Sequence, residues 1–278
     1  MESERFGWFL LFLFIGLAVF LPSITFSALI PDNVEILLRT SLCVLFFVAA
    51  IVFTGQKTLK KYWPIPFAFF LAALSQFFAW EFSGLPLTWF HLDATAVKGM
   101  AVAKFSQSLL VVIPIILLTR ISGQSFSSIY LKKGKIRYGL GIGLIAFLVF
   151  AGLLYLQIEK ADSGPNRLFS ASPWILVFVL SNGLNEEFLF RGLFLRKFEP
   201  FVGTFGSNLT TAIVFTLAHL KVEYVASGEI LKFLATVFVL AMVWGYMMQK
   251  TESLIGPALF HAGADLLLFS SLFTLSPS

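Results

Sequence analysis

Apolar stretches of about 20 residues, long enough for a helix to cross a bilayer, recur along the whole chain. This restricts the fold more than any other feature, because a backbone in lipid must satisfy its own hydrogen bonds, as helices and closed barrels do. The segments run Phe6–Ala28, Ile36–Thr54, Pro64–Phe82, Ala101–Thr119, Tyr138–Ile158, Ser172–Phe198, Asn208–Leu220, Ile230–Gln249 and Leu254–Leu275. Hydrophobic residues make up 58% of the chain and charged residues 13%, where a globular domain is roughly half apolar and a quarter charged. The expected fold class is therefore all-α, a polytopic transmembrane helical bundle with about eight or nine membrane segments. What remains between the spans is too short for a soluble domain, so residues 1–278 read as a single integral membrane domain.

The net charge of +5 does not point to nucleic acid, because Lys and Arg sit mostly in the connections. It reads as membrane orientation. Counting alternate connections, Arg5, Lys57, Lys60, Lys61, Arg120, Lys132, Lys133, Lys135, Arg137, Arg196, Lys197 and Lys250 fall on one side, 12 against 7 on the other. The richer side holds the N-terminus, which is expected to be cytoplasmic, and the size and short loops suggest a bacterial plasma membrane. Lys132-Lys133-Gly134-Lys135 reads as a solvated positive-inside loop on that side, with binding of anionic headgroups as the alternative. Lys98 and Lys104 lie near the start of the fourth span, where long cationic side chains snorkel. Gly139, Gly141 and Gly143 open the fifth span. No strand precedes them, so they are not a dinucleotide loop, and close helix packing is their expected use. Pro31-Asp32-Asn33, Gly164-Pro165 and Gly203–Gly206 read as turns or loops. Cys43 is the single cysteine, which excludes an intramolecular disulfide and a Cys-based zinc site.

Against this background a few ionisable residues in the last third stand out. Glu186, Glu187 and Arg191 lie in a segment that is otherwise mostly Val, Leu and Phe. Charges inside a span are costly and are functional hypotheses by default. Glu187 and Arg191 are four apart, acid first, so they can pair along one helical face. Glu186 is about 100° round the axis and cannot share that face. One carboxylate is thus neutralised locally and the other points elsewhere. His219 follows in the next segment, in Phe215-Thr216-Leu217-Ala218-His219, and His261 with Asp265 in the last, again four apart. Converging on water, such groups suit general acid–base hydrolysis, with a carboxylate taking the proton and an imidazole donating to a developing oxyanion. Two histidines and a carboxylate are also a catalytic zinc set, although the soluble His-Glu-x-x-His motif is absent. The same residues would also serve as a structural polar network that fixes helix packing.

Glu186-Glu187-x-x-x-Arg191, Phe215-x-x-x-His219 and His261-x-x-x-Asp265, in that order, resemble the three motifs of the CAAX-protease and bacteriocin-processing family of intramembrane endopeptidases. The likeness covers a core at about 173–268; the first 170 residues share only their hydrophobic spans. The resemblance implies Glu186 as the base that activates water, His219 as the residue that orients it, and His261 with Asp265 as stabilisers of the oxyanion. Glu187 and Arg191 would support the site. No metal is favoured as cofactor; with zinc, the ligands would be Glu186, His219 and His261. One departure is Asp265, where the eukaryotic prenyl-protein proteases have Asn, since an ionised Asp accepts and does not donate.

The expected function is an intramembrane endopeptidase that hydrolyses a peptide bond in a membrane-associated polypeptide, with lipidated or prenylated CAAX-like segments as one substrate class. Expected partners are that polypeptide and the lipid bilayer, with no nucleic acid; the oligomeric state is not legible. Two alternatives belong to other classes. A non-proteolytic bacteriocin-immunity or scaffold protein would tolerate loss of Glu186, and a small proton-coupled transporter would show an internal repeat, which the sequence lacks.

Overall fold

The computed structural model describes residues 2–21, 31–159, 164–220 and 229–270. Among them all regular structure is helical. The helices are α1 (Glu2–Phe20), α2 (Asp32–Gly55), α3 (Pro64–Phe82), α4 (Leu85–Trp89), α5 (Val97–Ile121), α6 (Ile136–Ile158), α7 (Gly164–Glu186), α8 (Leu195–Ala218), α9 (Ile230–Thr251) and α10 (Ile255–Asp265). Eight of them, α1 to α3 and α5 to α9, are long and apolar enough to cross a membrane. The chain is an integral membrane protein built as a polytopic helical bundle.

Several boundaries differ from those read in the sequence. Pro31 caps α2 with extended backbone (φ −57°, ψ 140°), and the helix starts at Asp32, where a turn was expected. Proline suits that place because a helix start has no use for its missing N–H. Likewise α7 begins at Gly164, ahead of the expected Ser172, with Pro165 in its first turn. The rest of that polar connection, 160–163, and the connection 221–228 lie outside the described residues. The motif segment is not one helix to Phe198. Its α-helix ends at Glu186 and continues as a π-helical turn, Glu187–Gly192, before α8 starts. Gly203 (φ 75°, ψ 170°) kinks α8 at the point read as a turn. Of the last segment, expected over Leu254–Leu275, residues 271–275 lie outside the described residues. Its described part, Ile255–Phe269, rises only about 23 Å, short of a hydrocarbon core of about 30 Å.

This short α10 is wedged deep in the bundle. Gly139 and Gly143 at the start of α6 make room for it, as the small residues there suggest, whereas Gly141 has nothing within 4 Å of its Cβ position. A Cβ on Gly143 would come within 2.5 Å of the Gly256 carbonyl oxygen, and one on Gly256 within 2.6 Å of the Gly139 backbone. On the other flank, a Cβ on Gly183 of α7 would lie 2.6 Å from the Ala258 oxygen. Aromatic packing ties the early helices to the motif region. Phe12 stacks on Phe198 (4.1 Å, 8°), Phe20 on Phe190 (4.4 Å), and Phe190 meets Phe215 edge-on (5.0 Å, 89°).

One end of the bundle gathers the connections richest in Lys and Arg. Lys135 N–H donates to Thr251 O (2.7 Å) and Leu254 N–H to Tyr130 O (3.2 Å). Lys197 Nζ reaches Ser128 O (3.3 Å), and Trp8 of α1 packs on Tyr62 and Phe201.

Candidate active site

The site is built where α7 gives way to the π turn. Leu193 N–H donates to Phe188 O, five residues back, at 3.1 Å. Such widened turns interrupt a helix at a cost and recur at functional sites. All six residues from Glu187 to Gly192 are buried. Arg191 Nη1 donates to Glu187 Oε1 at 2.8 Å, and neither side chain is exposed at all. Removing both charges from water costs several kcal/mol per ion, of the order that only a good mutual geometry offsets. The guanidinium is also covered by the Phe215 ring at 4.2 Å and the Trp244 ring at 5.5 Å, positions in which a cation is attracted to the π face.

The same Glu187 oxygen reaches a second partner. His261 Nδ1 lies 2.9 Å from Glu187 Oε1. A carboxylate held by arginine is an acceptor, so the imidazole donates from Nδ1. This turns Nε2 towards Glu186 Oε2 at 3.5 Å and Asp265 Oδ1 at 3.6 Å. Trp244 stacks flat on the imidazole (3.9 Å, 9°) and Phe215 meets it edge-on (5.7 Å, 84°). The ring is thereby fixed by one hydrogen bond, one stacked indole and one edge-on phenyl ring.

Asp265 Oδ2 accepts from Asn182 Nδ2 at 2.9 Å, which uses that carboxylate as an acceptor. His219 stands at the end of α8, and its Nδ1 is 2.8 Å from Phe215 O. Donation to that carbonyl leaves Nε2 as the ring's second polar atom. Glu186 is the least enclosed of the carboxylates at the π turn, with a side chain 17% exposed.

Glu186, His219, His261 and Asp265 all line one cavity of about 490 Å³. Much of its remaining wall is apolar, from Phe150, Phe178, Phe233, Leu240, Leu267 and Leu268. A second cavity, about 660 Å³, reaches Glu186 from α2, α3 and α5 and is lined by Arg39, Gln76, Gln107 and Asn185. Lys104 and Phe178 border both. A larger cavity of about 940 Å³ lies elsewhere, at the basic end. Size alone would favour it, but it holds none of these carboxylates or imidazoles. Among the described residues, no three His, Cys, Asp or Glu side chains are gathered as a metal-ligand group.

Three neighbours of the site are not among the residues that the sequence marks for it. Asn182 had a signal, since it lies one helical turn before Glu186. Lys104, expected to snorkel outward, lines both cavities instead. Trp244 had no local signal, because only the docking of α9 on α10 brings it to His261.

Residues 168–267 match the family model described as type II CAAX prenyl endopeptidase Rce1-like. No curated protein and no solved structure matches the chain. The matched stretch begins in the first turns of α7 and ends just past Asp265, so it spans every carboxylate and imidazole named above. It supports a CAAX-type protease as the class of hydrolase. In residues 168–267 the chain is thus similar to the CAAX-protease and bacteriocin-processing family of intramembrane endopeptidases.

Proposed function

We propose that the protein hydrolyses a peptide bond of a membrane-associated polypeptide, with Glu186 as general base and without a metal. The observation that carries this reading is the position of Glu186. It is the carboxylate left over when Arg191 and His261 engage Glu187, and it opens on a cavity within the membrane part of the bundle.

In the proposed reaction Glu186 takes a proton from water as the oxygen bonds to the scissile carbonyl carbon. The carbonyl π electrons move to oxygen and give a tetrahedral oxyanion. His261, protonated and donating from Nε2, stabilises that oxyanion, and His219 Nε2 orients the water. The C–N bond then breaks as Glu186 returns its proton to the leaving nitrogen, which yields a carboxylic acid and an amine. Glu187 acts through His261, by holding Nδ1–H and so aiming Nε2. Asp265 holds the other side of that nitrogen and is itself held by Asn182. The apolar wall of the cavity suits a hydrophobic or lipidated residue beside the scissile bond. The gathering of Lys and Arg at one end supports an orientation with that end, and the N-terminus, in the cytoplasm.

The test is cleavage of membrane-tethered peptides by purified protein, with prenylated and unprenylated versions, for wild type, Glu186→Gln, His219→Ala and His261→Ala, each with and without chelator. Wild-type cleavage that resists chelator and is lost in Glu186→Gln is the expected result. Equal cleavage by wild type and Glu186→Gln would overturn the mechanism, and loss with chelator would overturn its metal-free form.

A further inference from the structure

The 940 Å³ cavity is a groove between the start of α6 and the end of α9, with Phe260 of α10 beside it. At its mouth stand Lys133, Lys135, Arg137 and Lys250, and no acidic residue lines it. The nearest acid, Glu252, is taken up by Lys132 and Arg196, so the four cations of the mouth are not neutralised by it. Below them the lining turns aromatic and then apolar, through Tyr138 and Tyr246 to Ile142 and Val243. From Arg137 to Ile142 and from Lys250 to Val243 the helices descend roughly 8–10 Å, which takes the groove from the level of headgroups into that of acyl chains. Exposed tyrosines at such a boundary are characteristic of the membrane interface.

The groove is also preformed. The Lys135 amide is tied to Thr251 O at 2.7 Å. Gly134, in a left-handed conformation (φ 46°), is pressed so close that a Cβ there would lie 2.3 Å from the same oxygen. The basic loop is therefore seated on the end of α9, where the sequence suggests a solvated loop with headgroup binding as the alternative.

We propose that this groove binds one anionic phospholipid, with the phosphate among Lys133, Arg137 and Lys250 and an acyl chain along Ile142 and Val243. Basic pockets between spanning helices hold acidic headgroups in this manner. None of the residues that line this groove lines the cavity at Glu186, and the site does not depend on the protein being a protease.

The experiment is native mass spectrometry of the full chain, released from bilayers that contain phosphatidylglycerol or phosphatidylcholine with the same acyl chains. Wild type is compared with the triple variant Lys133→Gln/Arg137→Gln/Lys250→Gln. A control of equal charge, Lys57→Gln/Lys60→Gln/Lys61→Gln, removes three cations from another loop at the same end. Wild type and control should retain one phosphatidylglycerol in preference to phosphatidylcholine, and the groove variant should retain at least about tenfold less, given the strength of each Lys or Arg near an acidic surface. Soluble glycerol phosphate should not compete, since it lacks the chain. Equal loss in the control would reduce the effect to general surface charge and overturn the site. Equal retention of both lipids by wild type would overturn it too, as would full competition by glycerol phosphate. A melting curve for each variant, with the control again as reference, keeps a misfolded variant from passing as a positive result.

Discussion

Two ion pairs of the same make lie in the apolar helices of this protein. Glu187–Arg191 and Glu35–Arg39 are both acid first, four residues apart and almost wholly buried. The spacing rule for helices treats them alike. Their surroundings do not. Glu35–Arg39 sits within the first turns of α2, with its guanidinium over the exposed Trp80 ring at 4.3 Å, beside a cavity. Glu187–Arg191 is walled in by Phe215 and Trp244, and its carboxylate also accepts from His261. One pair lies at the start of α2, over an indole ring. The other continues through an imidazole to Glu186 and Asp265. A buried pair by itself therefore records a cost that has been met, and chemistry is to be sought in the ionisable group that such a pair leaves over.

The comparison breaks first at Glu186. Glu186→Gln should lower peptide cleavage by about 10²–10⁴-fold, the range of a lost general base, whereas Glu35→Gln should leave kcat within about twofold. Initial rates on one tethered peptide decide it; a comparable fall in both variants would mean the two regions are not functionally distinct.

Stability sharpens it next. Arg191→Met leaves Glu187 buried without its cation and should cost about 3–5 kcal/mol in denaturant titrations in mixed micelles. Arg39→Met should cost about half as much, since Glu35 lies near the N-terminus of α2, where the helix dipole favours a carboxylate. Glu187→Gln with Arg191→Met should recover most of the stability and still cleave poorly, because His261 Nδ1 then loses its carboxylate.

A smaller effect comes from packing. Gly256→Val drives a side chain into the Gly139 backbone and should cost about 1–3 kcal/mol, with a fall in kcat as α10 carries His261 out of line. The smallest is Trp244→Leu, which removes the stacked face of His261 and should cost about 0.5–1.5 kcal/mol beyond lost area. Activity unchanged in Trp244→Leu would show that the Glu187 hydrogen bond alone orients the ring.

Most of the fold was legible, and for a simple reason. Spanning helices are set by the length of apolar runs, so α3, α6 and α9 start and end within about two residues of the bounds read from sequence. The misread places are those where a local signal has two meanings. Proline at Pro31 and Pro165 breaks a helix from inside but begins one from outside. The described part of the segment after Leu254 packs as a buried wedge, which only its glycine contacts with α6 and α7 reveal. The π turn left no sign, because it depends on how Phe188 to Phe190 pack against α1 and α8.

At the site, the sequence by itself determined which residues are candidates for chemistry. Charged groups in apolar helices are too costly to be incidental, so Glu186, Glu187, Arg191, His219, His261 and Asp265 identify themselves by type and position. What only the tertiary structure decided is which of them face one another. Glu187 and His261 are 74 residues apart, and no spacing rule spans that distance. Their meeting depends on a short helix entering between α6 and α7 at glycine contacts, and that contact makes Glu187 the anchor of His261 while Glu186 remains open to the cavity.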